Sequence, residues 1–299
     1  MLGRRLVAEL LERGDEVAVL SRDAERAARS FDGRVEAHEW RDPKHERPPA
    51  AALAGRDGVV HLLGEPVAQR WTESARREIR DSRVLATRNL VAALGELPAR
   101  DGGRPRVLVS QSASGWYGAR GDVPVDETEP AADDFLAQVC VEWEREASAA
   151  EALGVRGVRA RTGVVLSSSG GALEKMLPPF KLGVGGPVAG GRQYVPWIHA
   201  DDVVGGLAFC LDDEAASGPV NLTAPEPVTN RELSKALGRV LGRPALVPVP
   251  ALAVRALYGD MAMIVTTGVR AIPLRLQELG YRFRQPALEP ALRSATGRR

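Results

Sequence analysis

Short apolar, β-branched runs recur along this chain, and nearly every interval between them carries helical periodicity. The runs fall at 16–20, 35–40, 58–63, from 107, at 157–166 and at 220–223. Strand alternating with helix is the pattern of a parallel sheet covered on both faces. The fold class it predicts is α/β, a doubly wound parallel sheet. In such sheets reactive groups sit just past the carboxyl ends of the strands. Attention therefore goes to 107–118, Val-Leu-Val-Ser-Gln-Ser-Ala-Ser-Gly-Trp-Tyr-Gly, where an apolar run enters three serines and a tyrosine. This stretch reads either as an active-site edge or as a buried strand followed by an ordinary Ser/Gly loop.

The helical intervals carry their own punctuation. Leu6, Val7, Leu10 and Leu11 repeat at helical spacing, and Gly14 follows as a stop. Helices are also predicted over 23–30, 72–94 and 133–153. Another runs over 229–241, where Thr229 and Glu232 form a capping-box pattern. The segments 42–49 and 98–106 read as loops. From Met176 the texture changes to Pro178-Pro179-Phe180, read as loop, and then to glycine-rich sequence. That change divides the chain into a larger part, 1–168, and a smaller C-terminal part, 169–299. The segment at about 199–223 returns to the sheet. The tail from Val247 reads as helical with proline interruptions.

Composition removes several function classes. Lys+Arg 40 against Asp+Glu 39 gives a formal charge of +1, which does not favour nucleic acid or an anionic membrane as the main partner. Cys140 and Cys210 lie in unrelated contexts, and the four histidines are scattered, so no metal site is expected. No apolar run approaches the roughly 18–20 residues that span a bilayer, and no secretory signal pattern opens the chain. A cytoplasmic protein, monomer or homodimer, is the expectation.

In their order, these pieces resemble the extended short-chain dehydrogenase/reductases. Within that superfamily they resemble an atypical group of sugar-nucleotide epimerase-like proteins that end in a small domain of unknown function. The matching pieces include Val60-His61-Leu62-Leu63-Gly64-Glu65-Pro66, Arg80-Asp81-Ser82-Arg83, Ser112 to Gly118, Arg161-Thr162-Gly163-Val164-Val165-Leu166, Met176-Leu177-Pro178-Pro179-Phe180, Trp197-Ile198-His199-Ala200-Asp201-Asp202 and Pro219-Val220-Asn221-Leu222-Thr223. The segment from about Val247 resembles the terminal domain.

The resemblance implies a Rossmann-type fold and a dinucleotide cofactor. Family members carry Gly-x-x-Gly-x-x-Gly after the first strand, where it lets the pyrophosphate approach the helix N-terminus. Gly3 corresponds to the third glycine, while the first strand and the first two glycines are not in this sequence. That strand would lie between those at 17–20 and 59–63, and its loss would leave buried backbone groups unpaired at about 1–3 kcal/mol each. The expectation is an N-terminally truncated sequence, with an apolar strand and two glycines encoded before Met1. At the end of the second strand of the fold an acidic residue favours NAD, whereas an arginine favours the 2′-phosphate of NADP. Ser21-Arg22 stands there, so NADP(H) is expected, with Arg22 on the phosphate. Leu62, Leu63 and Gly64 would line the adenine-ribose side, and Pro178 and Phe180 the nicotinamide end.

The superfamily's chemistry uses Ser, Tyr and Lys for acid–base work around a hydride transfer. Ser112 matches the serine, with Ser114 as the alternative. The helix that should carry Tyr-x-x-x-Lys has Phe135 or Leu136 near the Tyr position and Val139 or Cys140 near the Lys position. Tyr117 is then the nearest phenol, and His199 a second candidate acid or base. Arg159, Arg161, Lys175, Lys181 and Arg192 are candidates to meet an anionic substrate. The function expected is an NADP(H)-dependent oxidoreductase or epimerase-like protein acting on a small molecule, a nucleotide-linked one among the alternatives. The other reading is a nucleotide-binding or sensing protein that lacks the dyad.

Overall fold

The computed structural model describes residues 1–99 and 103–298; the middle of the loop expected at 98–106 lies outside the described residues. The first half runs α1 (Leu2–Arg13), β1 (Ala18–Ser21), α2 (Ala24–Arg29), β2 (Glu36–Glu39), β3 (Gly58–His61), α3 (Glu73–Glu96), β4 (Val107–Ala113), the short β5 (Pro124–Val125) and α4 (Phe135–Ser148). The second half continues with β6 (Arg156–Thr162), β7 (Val164–Leu166), α5 (Gly171–Lys181), β8 (Tyr194–Val195), β9 (Trp197–His199), α6 (Ala200–Asp212), β10 (Gly218–Leu222), β11 (Val228–Thr229) and α7 (Asn230–Leu241). The tail adds α8 (Ala251–Tyr258), α9 (Met263–Thr266), β12 (Arg270–Ala271), α10 (Leu274–Glu278) and α11 (Leu288–Thr296).

The helix boundaries follow from side-chain chemistry. Gly14 ends α1 in the left-handed region at φ 93°, which costs glycine little. Asp23, Thr72 and Asp134 accept first-turn N–H groups of α2, α3 and α4. Thr229 and Glu232 cap α7 reciprocally. The prolines expected in a loop lie inside α5 instead. Their missing N–H groups forgo two bonds to carbonyls one turn earlier, and the burial of Leu173, Leu177 and Phe180 along one side of the helix holds it together.

The main sheet is parallel and ordered β10-β6-β4-β3, β1 and β2 form a separate parallel pair, and the short β8 and β11 pair antiparallel. This is a Rossmann-type α/β sheet. Alternation along β4 sorts its side chains to opposite faces. Val107 and Val109 join Leu6 and Leu10 of α1 and Val203, Val204 and Leu207 of α6. Leu108 joins Leu90 and Leu94 of α3. A second core, with Leu166, Phe180, Trp197, Leu237 and Leu292, binds α5, α7 and α11 to β7 and β9. The strand expected over 157–166 is broken at Gly163, where a Cβ would lie 1.9 Å from the Pro196 carbonyl oxygen.

The sheet is interrupted between β1 and β3. Their facing edges line a cavity of about 1460 Å³, with Leu6 and Leu10 of α1 on its wall and Arg4, Arg22 and Arg26 among its lining residues. Among the described residues β1 and β3 each have one strand neighbour, β2 and β4 respectively.

Candidate cofactor site and substrate cleft

The N-terminus of α1, the end of β1 and the end of β3 converge on this cavity. Gly3, Arg22, Leu62 and Leu63 all line it. Gly3 sits in the first turn of α1, 3.8 Å from the Leu62 side chain at the position of an added Cβ. That turn has no side-chain cap and no acidic residue, so its backbone N–H groups and the positive helix end are available to an anion. Arg22 is exposed at the carboxyl end of β1 and has no hydrogen-bond or ion-pair partner among the described residues. Its neighbour Ser21 is occupied, accepting from the Asp23 N–H, while Asp23 caps α2.

Gly64 follows Leu63 at the exposed end of β3. A Cβ there would lie 2.8 Å from Arg83 Cζ, so a side chain at 64 would displace that guanidinium. Arg83 donates to the Ile79 carbonyl at 2.9 Å and lies over the Trp143 ring at 5.2 Å. Burial lowers its pKa. The other two predicted contacts fall elsewhere. Pro178 is exposed on α5. Phe180 is buried in the second core, where its ring fills the space beside Gly185.

At the end of β4 the hydroxyls of Ser112 and Tyr117 are engaged with protein partners, whereas Ser114, half-buried, has no side-chain hydrogen bond among the described residues. Ser112, 1% exposed, donates its Oγ hydrogen to Glu144 Oε1 at 2.6 Å. Arg161 holds the same carboxylate with both ends of its fork, Nε to Oε1 at 2.8 Å and Nη2 to Oε2 at 3.0 Å. Tyr117 is fully buried; its OH donates to Asn221 Oδ1 at 2.7 Å and accepts from Arg161 Nη1 at 3.1 Å. Burial pushes the phenol up to about 12, against the downward pull of Arg161. The indole of Trp116 stacks 3.8 Å from the Arg161 guanidinium. The network ties β4, α4, β6 and β10 together. Through Asn221 Nδ2 to the Ile272 carbonyl, 2.9 Å, it reaches the C-terminal segment.

The remaining acid–base candidates are likewise committed. Cys140 is buried, and desolvation pushes its thiol up to about 12. His199 caps α6, its Nδ1 accepting the Asp201 N–H at 3.2 Å, and burial lowers its pKa. Asp202 accepts the N–H groups of Arg284 and Gln285 at 2.6 and 2.9 Å and so organises the C-terminal loop. Phe135 and Leu136, where the family's tyrosine would stand, pack with Trp71, Ile79, Met261 and Ile264 into an apolar wall.

Among the candidate anion-binding cations, Arg161 is spent on Glu144, Arg159 pairs with Glu151, and Lys175 donates to the Ala68 carbonyl at 2.9 Å. Sequence reasoning missed Glu144 as the centre of the buried network. The available signal was its place four residues after Cys140 on the inward face of α4. No group of three or more His, Cys, Asp or Glu among the described residues is arranged to hold a metal. No described helix is long and apolar enough to cross a membrane.

Comparison with known proteins agrees with this architecture. Residues 1–222 match the NAD dependent epimerase/dehydratase family, and residues 249–295 match a domain of unknown function, DUF1731. The chain is 38% identical over 300 residues to the chloroplastic SDR39U1 homolog of Arabidopsis thaliana, covering 98% of this chain and 83% of that protein. It is 43% identical over 249 residues to an epimerase family protein of Mycobacterium bovis, covering 83% and 81%. Among solved structures, the human epimerase family protein SDR39U1 (isoform 2) with NADPH superposes with a TM-score of 0.84 at 30% identity, covering 99% of this chain and 96% of that one. A Rossmann-type parallel sheet, a family match over most of its length and a terminal DUF1731 segment together make this chain a member of the NAD dependent epimerase/dehydratase family, of the SDR39U1-like kind.

Proposed function

We propose that this protein binds NADP(H) and works as an oxidoreductase or epimerase-like enzyme on a small molecule whose proton is not carried by a Tyr-Lys pair. The observation that carries the cofactor reading is Arg22, an unpartnered guanidinium on the rim of the cavity that also meets the uncapped first turn of α1. On this reading Arg22 holds the 2′-phosphate, the first-turn N–H groups face the pyrophosphate, and Leu62, Leu63 and Gly64 form the floor beside the adenine ribose. The human relative crystallised with NADPH supports the same choice. Bound NADPH would supply a hydride; the chain's own residues bind, orient and exclude water.

The apolar wall of Trp71, Phe135, Leu136 and Met261 favours a substrate with an apolar body around its reacting carbonyl or hydroxyl. Ser112 Oγ, its own hydrogen committed to Glu144, is the group we assign to accept a hydrogen bond from the substrate's hydroxyl. The C-terminal part beyond residue 168 forms the substrate side. The cytoplasm, which supplies reduced NADP, is the compartment this reading assigns.

One observation favours a second reading. The hydroxyls of Ser112 and Tyr117 are both engaged inside the protein, which suits a nucleotide-binding protein without turnover. Thermal shift with NADPH and NADH, followed by NADPH consumption with carbonyl substrates, separates the readings. A larger shift with NADPH and measurable consumption support the enzyme. A shift without consumption supports the binding protein, and no shift with either nucleotide overturns both.

A further inference from the structure

The near-neutral total charge hides a local segregation. Residues 175–200 contain Lys175, Lys181 and Arg192 and no Asp or Glu; residues 233–259 contain Lys235, Arg239, Arg243 and Arg255 and again none. The two segments touch. Val188 bridges to Val249, and the Val247 N–H donates to the Gly185 carbonyl. Arg239 is neutralised by Glu289 at 3.1 Å. Lys181, Arg243 and Arg255 have no carboxylate within ion-pair distance among the described residues.

The same surface gathers exposed apolar side chains. Leu182, Leu246, Leu252 and Leu257 retain 78%, 80%, 79% and 70% of their accessible surface, with Val184 and Val247 beside them. α8 is the extreme case: of its eight residues only Val254 is buried and only Arg255 is charged. A nearly uncharged helix of this kind leaves its apolar side chains in water unless something covers them. Next to it, Lys235, Arg239 and Arg243 line a small cavity of about 340 Å³ whose apolar side is Ala245 and Leu246.

We propose that this face docks on an anionic lipid surface. The apolar side chains of α8 and the 182–184 turn enter the headgroup boundary, while Lys181, Arg243 and Arg255 meet lipid phosphates. The cavity between α7 and Leu246 takes acyl carbon against Ala245 and Leu246. A second copy of the chain fits this face poorly. A two-fold interface would set the patch on itself and bring unpaired cations against cations.

The test is co-sedimentation of the full chain with phosphatidylglycerol-containing vesicles and with phosphatidylcholine vesicles. Binding is expected to the former only and to weaken in raised salt. Each basic residue near the surface contributes about fivefold, so R243Q/R255Q should weaken binding roughly 25-fold. L252D/L257D should abolish it while leaving the thermal melt unchanged, because both leucines are exposed. Equal binding to the two vesicle types, or binding unaffected by either pair of substitutions, overturns the proposal. So does a lipid-free dimer that L252D/L257D converts to monomer in analytical ultracentrifugation. A monomer that ignores both vesicle types leaves an acidic protein as the partner and overturns the lipid assignment as well.

Discussion

Removing one member of the Arg161–Glu144 pair should cost far more than removing both. Both side chains are buried, with only 3% and 8% of the side-chain surface exposed, and the guanidinium is held by two parallel bonds to the carboxylate. Burial disfavours the arginine charge, and Glu144 more than offsets it, so the pKa of Arg161 is raised. Glu144→Gln keeps the shape and the bond from Ser112 but leaves the cation against Trp116 without a counter-charge. Arg161→Met leaves the carboxylate with Ser112 as its only donor. Stranding one buried charge costs about 3–5 kcal/mol, whereas replacing a pair by neutral groups is often near neutral. For a 299-residue chain the unfolding entropy near the midpoint is about 0.6 kcal/mol/K, so each single variant should lose roughly 5–8 °C in Tm. The double variant should be at least about 2 kcal/mol more stable than the sum of the singles. Urea unfolding of the four proteins measures the cycle. Singles that each cost under about 1 kcal/mol, or that simply add, would refute the view that this network is what fixes β4, α4 and β6.

Three further outcomes follow from particular residues. His61 is buried with no partner for Nε2, and desolvation lowers its pKa to about 4. Its contribution to stability is complete above about pH 6.5 and falls away as pH drops towards 4, by roughly 3 kcal/mol in all. His61→Leu should lose that part of the pH dependence in denaturant titrations, and an unchanged profile would count against a neutral buried imidazole. Gly163→Ala sets a Cβ 1.9 Å from the Pro196 carbonyl; a loss above about 3 kcal/mol or failure to fold is expected, and a variant as stable as the parent would contradict the β6–β9 geometry. The edges of β1 and β3 that line the large cavity should exchange amide hydrogens well before the interior strands β4 and β6. Uniform protection across all four strands would refute the interrupted sheet.

Much of this fold is legible in local sequence because its signals are local. Asp23, Thr72, Thr229 and Gly14 announce helix ends through contacts within a few residues. The alternation in Val107-Leu108-Val109 reports a strand covered on both faces. The positions proposed for the cofactor, Arg22 after β1 and Leu62 and Leu63 after β3, are legible as places too, since strand ends fix them. The buried network is not. Arg161 reads as a cation alternating into a strand, and only packing reveals that Glu144, 17 residues earlier on α4, neutralises it. Tyr117 has the chemistry of an acid–base group, but its partner Asn221 lies 104 residues away and locks it inside. The helix through Pro178 and Pro179 was hidden for a related reason. Proline predicts a break from its missing N–H, whereas the packing of Leu173, Leu177 and Phe180 against α7 holds the turn together.

With Arg22 on the 2′-phosphate, as proposed, this protein takes NADP(H) in preference to NAD(H), and isothermal titration measures that preference. A hydrogen-bonded charge pair with the 2′-phosphate contributes about 1.5–3 kcal/mol, roughly 10- to 150-fold in affinity. NADPH should therefore bind that much more tightly than NADH, and Arg22→Ala should bring the two Kd values together by weakening NADPH alone. NADH binding as tightly as NADPH, or an Arg22→Ala variant that keeps the preference, would contradict the account.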